Sequence, residues 1–185
     1  MAKIEKIQDV IDSKILSERK VFLWGQVDDR SAKHVIDRLL YLELVDPKKE
    51  IQLIINSPGG YVTSGFAIYD TIKSISSPVS TVCTGLAASM GSIILSAGAK
   101  GRRFVLPNAR VMIHQPSGGA RGQASDIEIQ MDEIIKTKKL SAQILADNCG
   151  QSFDKVMKDM NRDYWMSAEE SVKYGIVEGI LESVV

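Results

Sequence analysis

One uncharged stretch, Gly85–Gly98, constrains the fold of this chain more than any other part of the sequence. The apolar residues 79–84 before it predict a buried strand, and the apolar run after Ser89 predicts a buried helix. Most side chains between the two are small, which permits a sharp turn and the close approach of another group. The sequence therefore places the Ser89 hydroxyl where a buried strand turns into a buried helix.

Two interpretations of Ser89 fit this position. Serines before helices most often cap the first turn with their side chain. Residues 87–91 are also similar to the G-x-S-x-G elbow, in which a serine is held at a strand end beside backbone amides that bind an oxyanion. Ala87 stands where that pattern has its first glycine, and Gly91 matches the last. A helix cap is the commoner role for a serine in such a stretch, so the choice between the two interpretations depends on other parts of the sequence.

Apolar segments alternate with helical patterns through the first half of the chain. Strands are predicted at 20–25, 51–55 and 79–84, each followed by a helix. This alternation predicts an α/β fold with a mostly parallel sheet and helices around it. Sites in such folds gather at the carboxyl ends of the strands. The Gly59-Gly60 turn and Ser89 both lie at such ends.

The second half adds a short strand at 110–114 and a long helix from about 123 to 148. Gly150 is placed to end that helix. At this length we expect the helix to project from the compact body and to contact other subunits. Ser167 and Glu170 form a capping box that predicts a last, short helix.

Composition excludes several function classes. Lysine and arginine together number 23, as do aspartate and glutamate, so the chain carries no net charge and we expect neither nucleic acid nor membrane as a partner. No apolar run reaches the length of a membrane span, and the amino terminus lacks the apolar segment of a signal peptide. With only two cysteines and no zinc or nucleotide motif, we expect a cytoplasmic protein without metal or cofactor.

His114 is one of two histidines and follows an apolar strand directly. A histidine there is either a core residue bonded to the backbone or a functional group. A serine hydrolase needs such a base to take the proton of the hydroxyl, and an acid to orient the base. His114 is therefore the candidate base for Ser89, with the core interpretation still open.

Asp163 is the candidate orienting acid. It lies in a short link beside Tyr164 and Trp165, whose rings we expect to exclude water. Its alternatives are an ion pair with Arg162 or a helix cap. Spacing alone does not show that Asp163 and the other candidates converge.

Several separate motifs together resemble the proteolytic subunits of the Clp protease family. The resemblance runs in order over about residues 20–182. Its motifs are Asn56-Ser57-Pro58-Gly59-Gly60, residues 85–92, Arg110-Val111-Met112-Ile113-His114-Gln115-Pro116, and Arg162-Asp163 with Met166-Ser167-Ala168-Glu169-Glu170.

The resemblance implies a crotonase-like (ClpP-like) fold with a projecting handle helix at about 123–148. It also implies a short N-terminal segment at residues 1–19, for axial and docking contacts, and one peptidase domain at 20–185. The implied activity is that of a serine endopeptidase without a cofactor. Ser89 is then the nucleophile, His114 the base and Asp163 the orienting acid, and the backbone N–H groups of Gly60 and Met90 form the oxyanion hole.

The family also implies partners. Two stacked heptameric rings enclose a chamber, and a separate AAA+ Clp ATPase feeds in unfolded polypeptide, which leaves as short peptides. Many relatives carry an acidic residue before the Arg-Asp pair, where this chain has Asn161. Losing that charge should weaken ring stacking, so mixed rings with a paralogous subunit are a second hypothesis.

Two alternative functions follow. The chain is a conditionally active or scaffold subunit that needs a paralogous partner, or it is an acyl-CoA-handling enzyme on the same fold, since one fold hosts many functions.

Overall fold

A computed structural model describes residues 7–119 and 121–184 of the chain. The helices found there are α1 (Ile7–Ser17), α2 (Asp29–Val45), α3 (Val62–Ser74), α4 (Met90–Ser96), α5 (Ala124–Cys149), α6 (Phe153–Asp159) and α7 (Ala168–Tyr174). The strands are β1 (Lys20–Trp24), β2 (Ile51–Ser57), β3 (Val79–Ala88), β4 (Arg103–Val105), β5 (Arg110–Ile113), β6 (Tyr164–Met166) and β7 (Gly179–Ile180).

These strands form a mostly parallel sheet. The order β1-β2-β3-β4-β7 is parallel throughout, and β5 also pairs in parallel with β3. β6 runs antiparallel to β5. Parallel neighbours need crossover connections, and α2, α3 and α4 supply them between the first four strands. The predicted α/β class is confirmed.

β3 has two successive partners. Residues 81–83 pair with β4, and residues 86–88 pair with β5. The register between β2 and β3 shifts between Ile55 and Ser57, and an irregularity of this kind bends a strand. The sequence predicted strand only to residue 84, because the small residues that follow favour a turn. The longer β3 carries Ser89 into a second part of the sheet, formed by β5 and β6.

Branched aliphatic residues on one face of the sheet form much of the core. Leu23, Leu53, Ile55 and Val105 are completely buried. Leu53 and Ile55 alternate along β2, and the register of the sheet places Leu23 and Val105 in line with Ile55. The four side chains therefore share the face that packs against helices. Each such side chain contributes about 1.5–3 kcal/mol through burial. The strands that end at the candidate site are therefore held by the core itself.

Capping residues set two helix boundaries. The Asp28 carboxylate accepts a hydrogen bond from Ser31 N, and Ser31 Oγ accepts one from Asp28 N. Asp28 is the N-cap of α2, and Ser31 is the third residue of the box. The capping box of Ser167 and Glu170 at α7 is confirmed.

The predicted long helix is present as α5, within one residue of the expected bounds at each end. Its buried residues all lie in its last turns, from Ser141 to Cys149, and residues 124–133 are exposed. Gly150 ends it in a left-handed conformation with φ of 66°. The division into residues 1–19 and 20–185 stays a prediction, and residues 1–6, 120 and 185 lie outside the described part of the chain.

Candidate active site

Ser89 connects the end of β3 to the start of α4. Its backbone has φ of 54° and ψ of −123°, a conformation that costs a non-glycine residue about 1–3 kcal/mol. Ser89 N donates a hydrogen bond to Met112 O at 2.9 Å, which ties this turn to β5. The side chain makes no capping bond to α4. The cap interpretation of Ser89 is therefore wrong, and its hydroxyl is available for another partner.

The turn after β2 packs directly on Ser89. A Cβ atom at Gly59 would lie 2.6 Å from Ala88 O and 2.7 Å from Ser89 Cβ, and Gly59 has φ of +88°. Only glycine fits both the conformation and the space. Ser57 Oγ accepts a hydrogen bond from Gly59 N at 3.1 Å, which helps to hold the turn against β3.

Strand pairing brings the other two candidates to Ser89. In the antiparallel pair of β5 and β6, Ile113 lies opposite Tyr164. The next residues outward, His114 and Asp163, therefore face each other. In the parallel pair of β3 and β5, Ala88 lies beside Met112, which puts Ser89 beside Ile113, one residue before His114.

The three side chains form a continuous hydrogen-bonded chain. His114 Nδ1 lies 3.0 Å from Asp163 Oδ1, and His114 Nε2 lies 2.9 Å from Ser89 Oγ. A carboxylate can only accept hydrogen bonds, which assigns the ring proton to Nδ1. Neutral Nε2 then accepts from the Ser89 hydroxyl. This arrangement excludes the interpretation of His114 as a core residue bonded to the backbone.

The two candidate oxyanion donors are the backbone N–H groups of Gly60, in the turn after β2, and of Met90, at the start of α4. Val27 N donates to Gly59 O, and Tyr61 N donates to Val27 O, so the alternation of an extended backbone directs Gly60 N away from Val27. Met90 is the first residue of α4, where backbone N–H groups have no partner within the helix. Both N–H groups belong to segments that contact Ser89 or adjoin it.

A cavity of about 350 Å³ opens beside His114 and Asp163. Met131 and Ile134 of α5 form its apolar wall, and Arg162 lies at its polar side. Such a cavity can accept the side chain and backbone of an extended peptide.

The expected exclusion of water by aromatic rings is wrong for this chain alone. Tyr164 and Trp165 are 38% and 46% exposed, and the Asp163 side chain is 60% exposed. Within β6 only Met166 is buried. The acid end of the hydrogen-bonded chain is thus open to solvent.

A larger cavity, of about 510 Å³, lies away from Ser89. Its buried cation, Arg103, binds the Glu178 carboxylate and donates to Asn148 O. Burial alone would raise the pKa of Glu178, but the hydrogen bonds from Arg103 hold that pKa below its usual value. Arg103 is thus satisfied internally, and it joins β4 both to the end of α5 and to the residue before β7.

The family model described as Clp protease matches residues 3–184, nearly the whole chain. The chain belongs to the Clp protease family. As a member of this family the chain is a peptidase of the Clp type, and the family consists of serine peptidases. The α/β fold with its long α5 is consistent with this assignment.

Two residues that pack on the segment before Ser89, Asn56 and Gly59, were not predicted as site residues. Asn56 Oδ1 accepts a hydrogen bond from Leu86 N at 3.1 Å and leaves no room for a side chain at Gly85. The sequence predicted an oxyanion donor at Gly60 but no role for Gly59. The signal for Gly59 was present, because paired glycines at a strand end indicate a close backbone approach.

Among residues 7–119 and 121–184, no group of three or more His, Cys, Asp and Glu side chains is arranged to hold a metal ion. No helix in the same residues is both long and apolar enough to cross a membrane.

Proposed function

We propose that this chain is the serine endopeptidase subunit of a Clp protease, with Ser89 as nucleophile, His114 as general base and Asp163 as orienting acid. The single observation that supports this most strongly is the continuous chain of hydrogen bonds from Ser89 Oγ through both ring nitrogens of His114 to Asp163. Each member has the partner that its role requires.

The proposed reaction begins when Ser89 Oγ attacks the carbonyl carbon of a peptide bond. The hydroxyl proton moves to His114 Nε2, while Asp163 holds the Nδ1 proton and stabilises the charged ring. The oxyanion that forms accepts hydrogen bonds from Gly60 N and Met90 N. His114 then gives its proton to the leaving amine. Water hydrolyses the remaining ester by the same route, which restores the Ser89 hydroxyl.

The proposed substrates are unfolded polypeptides. The candidate site lies at strand ends, beside a cavity with an apolar wall of Met131 and Ile134, and suits an extended segment of backbone. A folded protein does not present its backbone in this way. The proposed partner is therefore an AAA+ Clp ATPase that unfolds substrates before their hydrolysis to short peptides, as protein quality control in the cytoplasm requires.

The proposed assembly is a pair of stacked heptameric rings, formed by this chain or by this chain with a paralogous subunit. Exposed apolar residues on two helices support association, because single chains rarely leave so many uncovered. On α2 and α5 these are Leu40, Tyr41, Leu44, Val45, Ile127, Ile129, Met131, Ile135 and Leu140.

Native mass spectrometry separates the two assemblies. If the missing acid at Asn161 weakens ring stacking, Asn161→Asp will increase the share of double rings formed by this chain alone. An unchanged mass distribution would contradict the mixed-ring hypothesis and favour a homo-oligomer.

The test of the proposed activity is Ser89→Ala, assayed with a short fluorogenic peptide. Hydrolysis should fall to background while the oligomer mass stays unchanged. Ser74→Ala, on the exposed end of α3, is the matched control and should keep full activity. Hydrolysis that persists in Ser89→Ala would overturn the proposal.

A conditionally active subunit is the second candidate, and the solvent exposure of Asp163 favours it. In that case hydrolysis by the purified chain would be weak and would rise when the paralogous subunit is added. The acyl-CoA-handling alternative explains the oxyanion turn but gives no role to a linked serine, histidine and aspartate. Retention of the chain on a CoA column would support that alternative.

A further inference from the structure

The link that carries Asp163 is held at both ends. β6 begins immediately after Asp163 and pairs with β5. At the other end the link follows α6, whose cap residue is Met160. Because the Asp163 side chain is 60% exposed, packing contributes little to its position. The hydrogen bonds of the link therefore decide where the carboxylate lies.

Gln115 makes the bonds at the α6 end. Its backbone N donates to Met160 O at 2.6 Å, and its side-chain Nε2 donates to Asn161 O at 2.8 Å. Gln115 follows His114 directly. The short segment that carries the His114 imidazole is therefore also hydrogen-bonded to the link that carries the Asp163 carboxylate. Two bonds across this short span fix the distance between the two groups.

We infer that Gln115 is a positioning residue for the proposed reaction, acting through the contact between Asp163 and His114. The inference rests on the proposed function. Removing the Nε2 donor leaves Asn161 O without this partner and frees the link to move at its α6 end. A displacement of about 1 Å in a catalytic group can lower a rate by roughly 100-fold.

The test removes the Nε2 donor of Gln115 and keeps the shape of its side chain. Gln115→Met retains the length of the side chain and the backbone bond to Met160 O, but it lacks the Nε2 donor. We expect kcat on a fluorogenic peptide to fall by roughly 10-fold to 100-fold, with KM changed by less than about 2-fold. Gln115→Ala provides a second variant of the same kind if the thioether perturbs folding.

Gln143→Met is the matched control. Gln143 also donates from Nε2 at 2.8 Å, to Asp147 Oδ1, but on the exposed surface of α5 away from His114. It should keep the wild-type kcat and KM. A similar loss in the control would show that the substitution type, and not the place of Gln115, causes the effect.

A double-mutant cycle with Asp163→Asn separates positioning from other roles. If Gln115 acts by placing the Asp163 carboxylate, Gln115→Met should change the residual rate of Asp163→Asn by less than about 2-fold, because contacting residues are not additive. Gln115 also lines the cavity, and a direct substrate role would instead raise KM equally in both backgrounds. An equal loss in both backgrounds, in kcat or in KM, would overturn the inference.

Ser89→Ala, assayed alongside, keeps the two proposals apart. Hydrolysis that persists in Ser89→Ala contradicts the proposed function and the inference with it. Hydrolysis that is abolished, together with an additive cycle, contradicts the role of Gln115 alone.

Discussion

Ser89 lies between buried residues of β3 and α4, whereas Asp163 lies in an exposed link with 60% of its side chain open to solvent. The first position is set by the core and by the close approach of Gly59. The second is set by strand register and by a few hydrogen bonds at the surface. The proposed nucleophile is therefore built into the fold of one chain, while the proposed orienting acid is open to influence from neighbouring molecules.

The largest expected effect on kcat comes from substituting Asp163, the exposed residue of the site. Asp163→Asn should lower kcat by roughly three to four orders of magnitude, since a neutral amide does not stabilise the charged ring of His114 and its NH2 group can donate to Nδ1, which favours the wrong tautomer. The thermal unfolding temperature, followed by circular dichroism, should not change because the side chain is exposed. A kcat within tenfold of wild type would contradict the role of Asp163.

Gly59→Ala should disturb the buried part of the site, around Ser89, and should affect both stability and kcat. The new Cβ would contact Ala88 O and Ser89 Cβ, so we expect unfolding to require about 1–3 kcal/mol less free energy. Displacement of the Gly59-Gly60 turn, which carries one of the two proposed oxyanion donors, should also lower kcat by roughly 100-fold. Denaturant unfolding and peptide hydrolysis measure the two effects.

Gly101→Ala is the matched control for Gly59→Ala. Gly101 has a similar φ of +80°, but its Cβ would meet no atom within 4 Å. It should show conformational strain without loss of kcat. Equal losses of activity in the two variants would mean that close packing on Ser89 is unimportant.

The smallest expected effect concerns the thiols of the buried part. Burial raises the pKa of both Cys83 and Cys149 to about 12. Almost no thiolate exists at pH 8, so iodoacetamide should leave the folded chain and its peptidase activity unchanged, and alkylation should speed up only as the pH rises towards 12. The unfolded chain should gain two adducts by mass. Rapid alkylation of the native chain would show that this core opens readily.

The two parts of the site also differed in how far the sequence predicted them. Ser89 and His114 became candidates because each follows an apolar strand that local pattern can identify, although the cap and core interpretations stayed open until the family resemblance was considered. The partnership of Asp163 with His114 depends on the antiparallel register of β5 and β6, and β6 has only three residues, of which one is buried. No alternation is visible in so short a strand, so spacing left the pairing open and the family resemblance supplied it.

Tertiary contacts account for the remaining differences. The extension of β3 to Ala88 depends on pairing with β5, which overrides the preference of small residues for a turn. Tyr164 and Trp165 were expected to cover Asp163, but a strand at the edge of the sheet turns them to solvent. The role of Gln115 required the position of Asn161 O, which no local pattern specifies.

A fluorophosphonate that reacts with activated serines tests most directly whether Ser89 is an activated nucleophile in this chain. Intact-mass analysis of the purified chain should show a single adduct, on Ser89, that is absent from Ser89→Ala and strongly slowed in His114→Ala. Absence of an adduct in the wild-type chain, or equal labelling of the His114→Ala variant, would contradict the account.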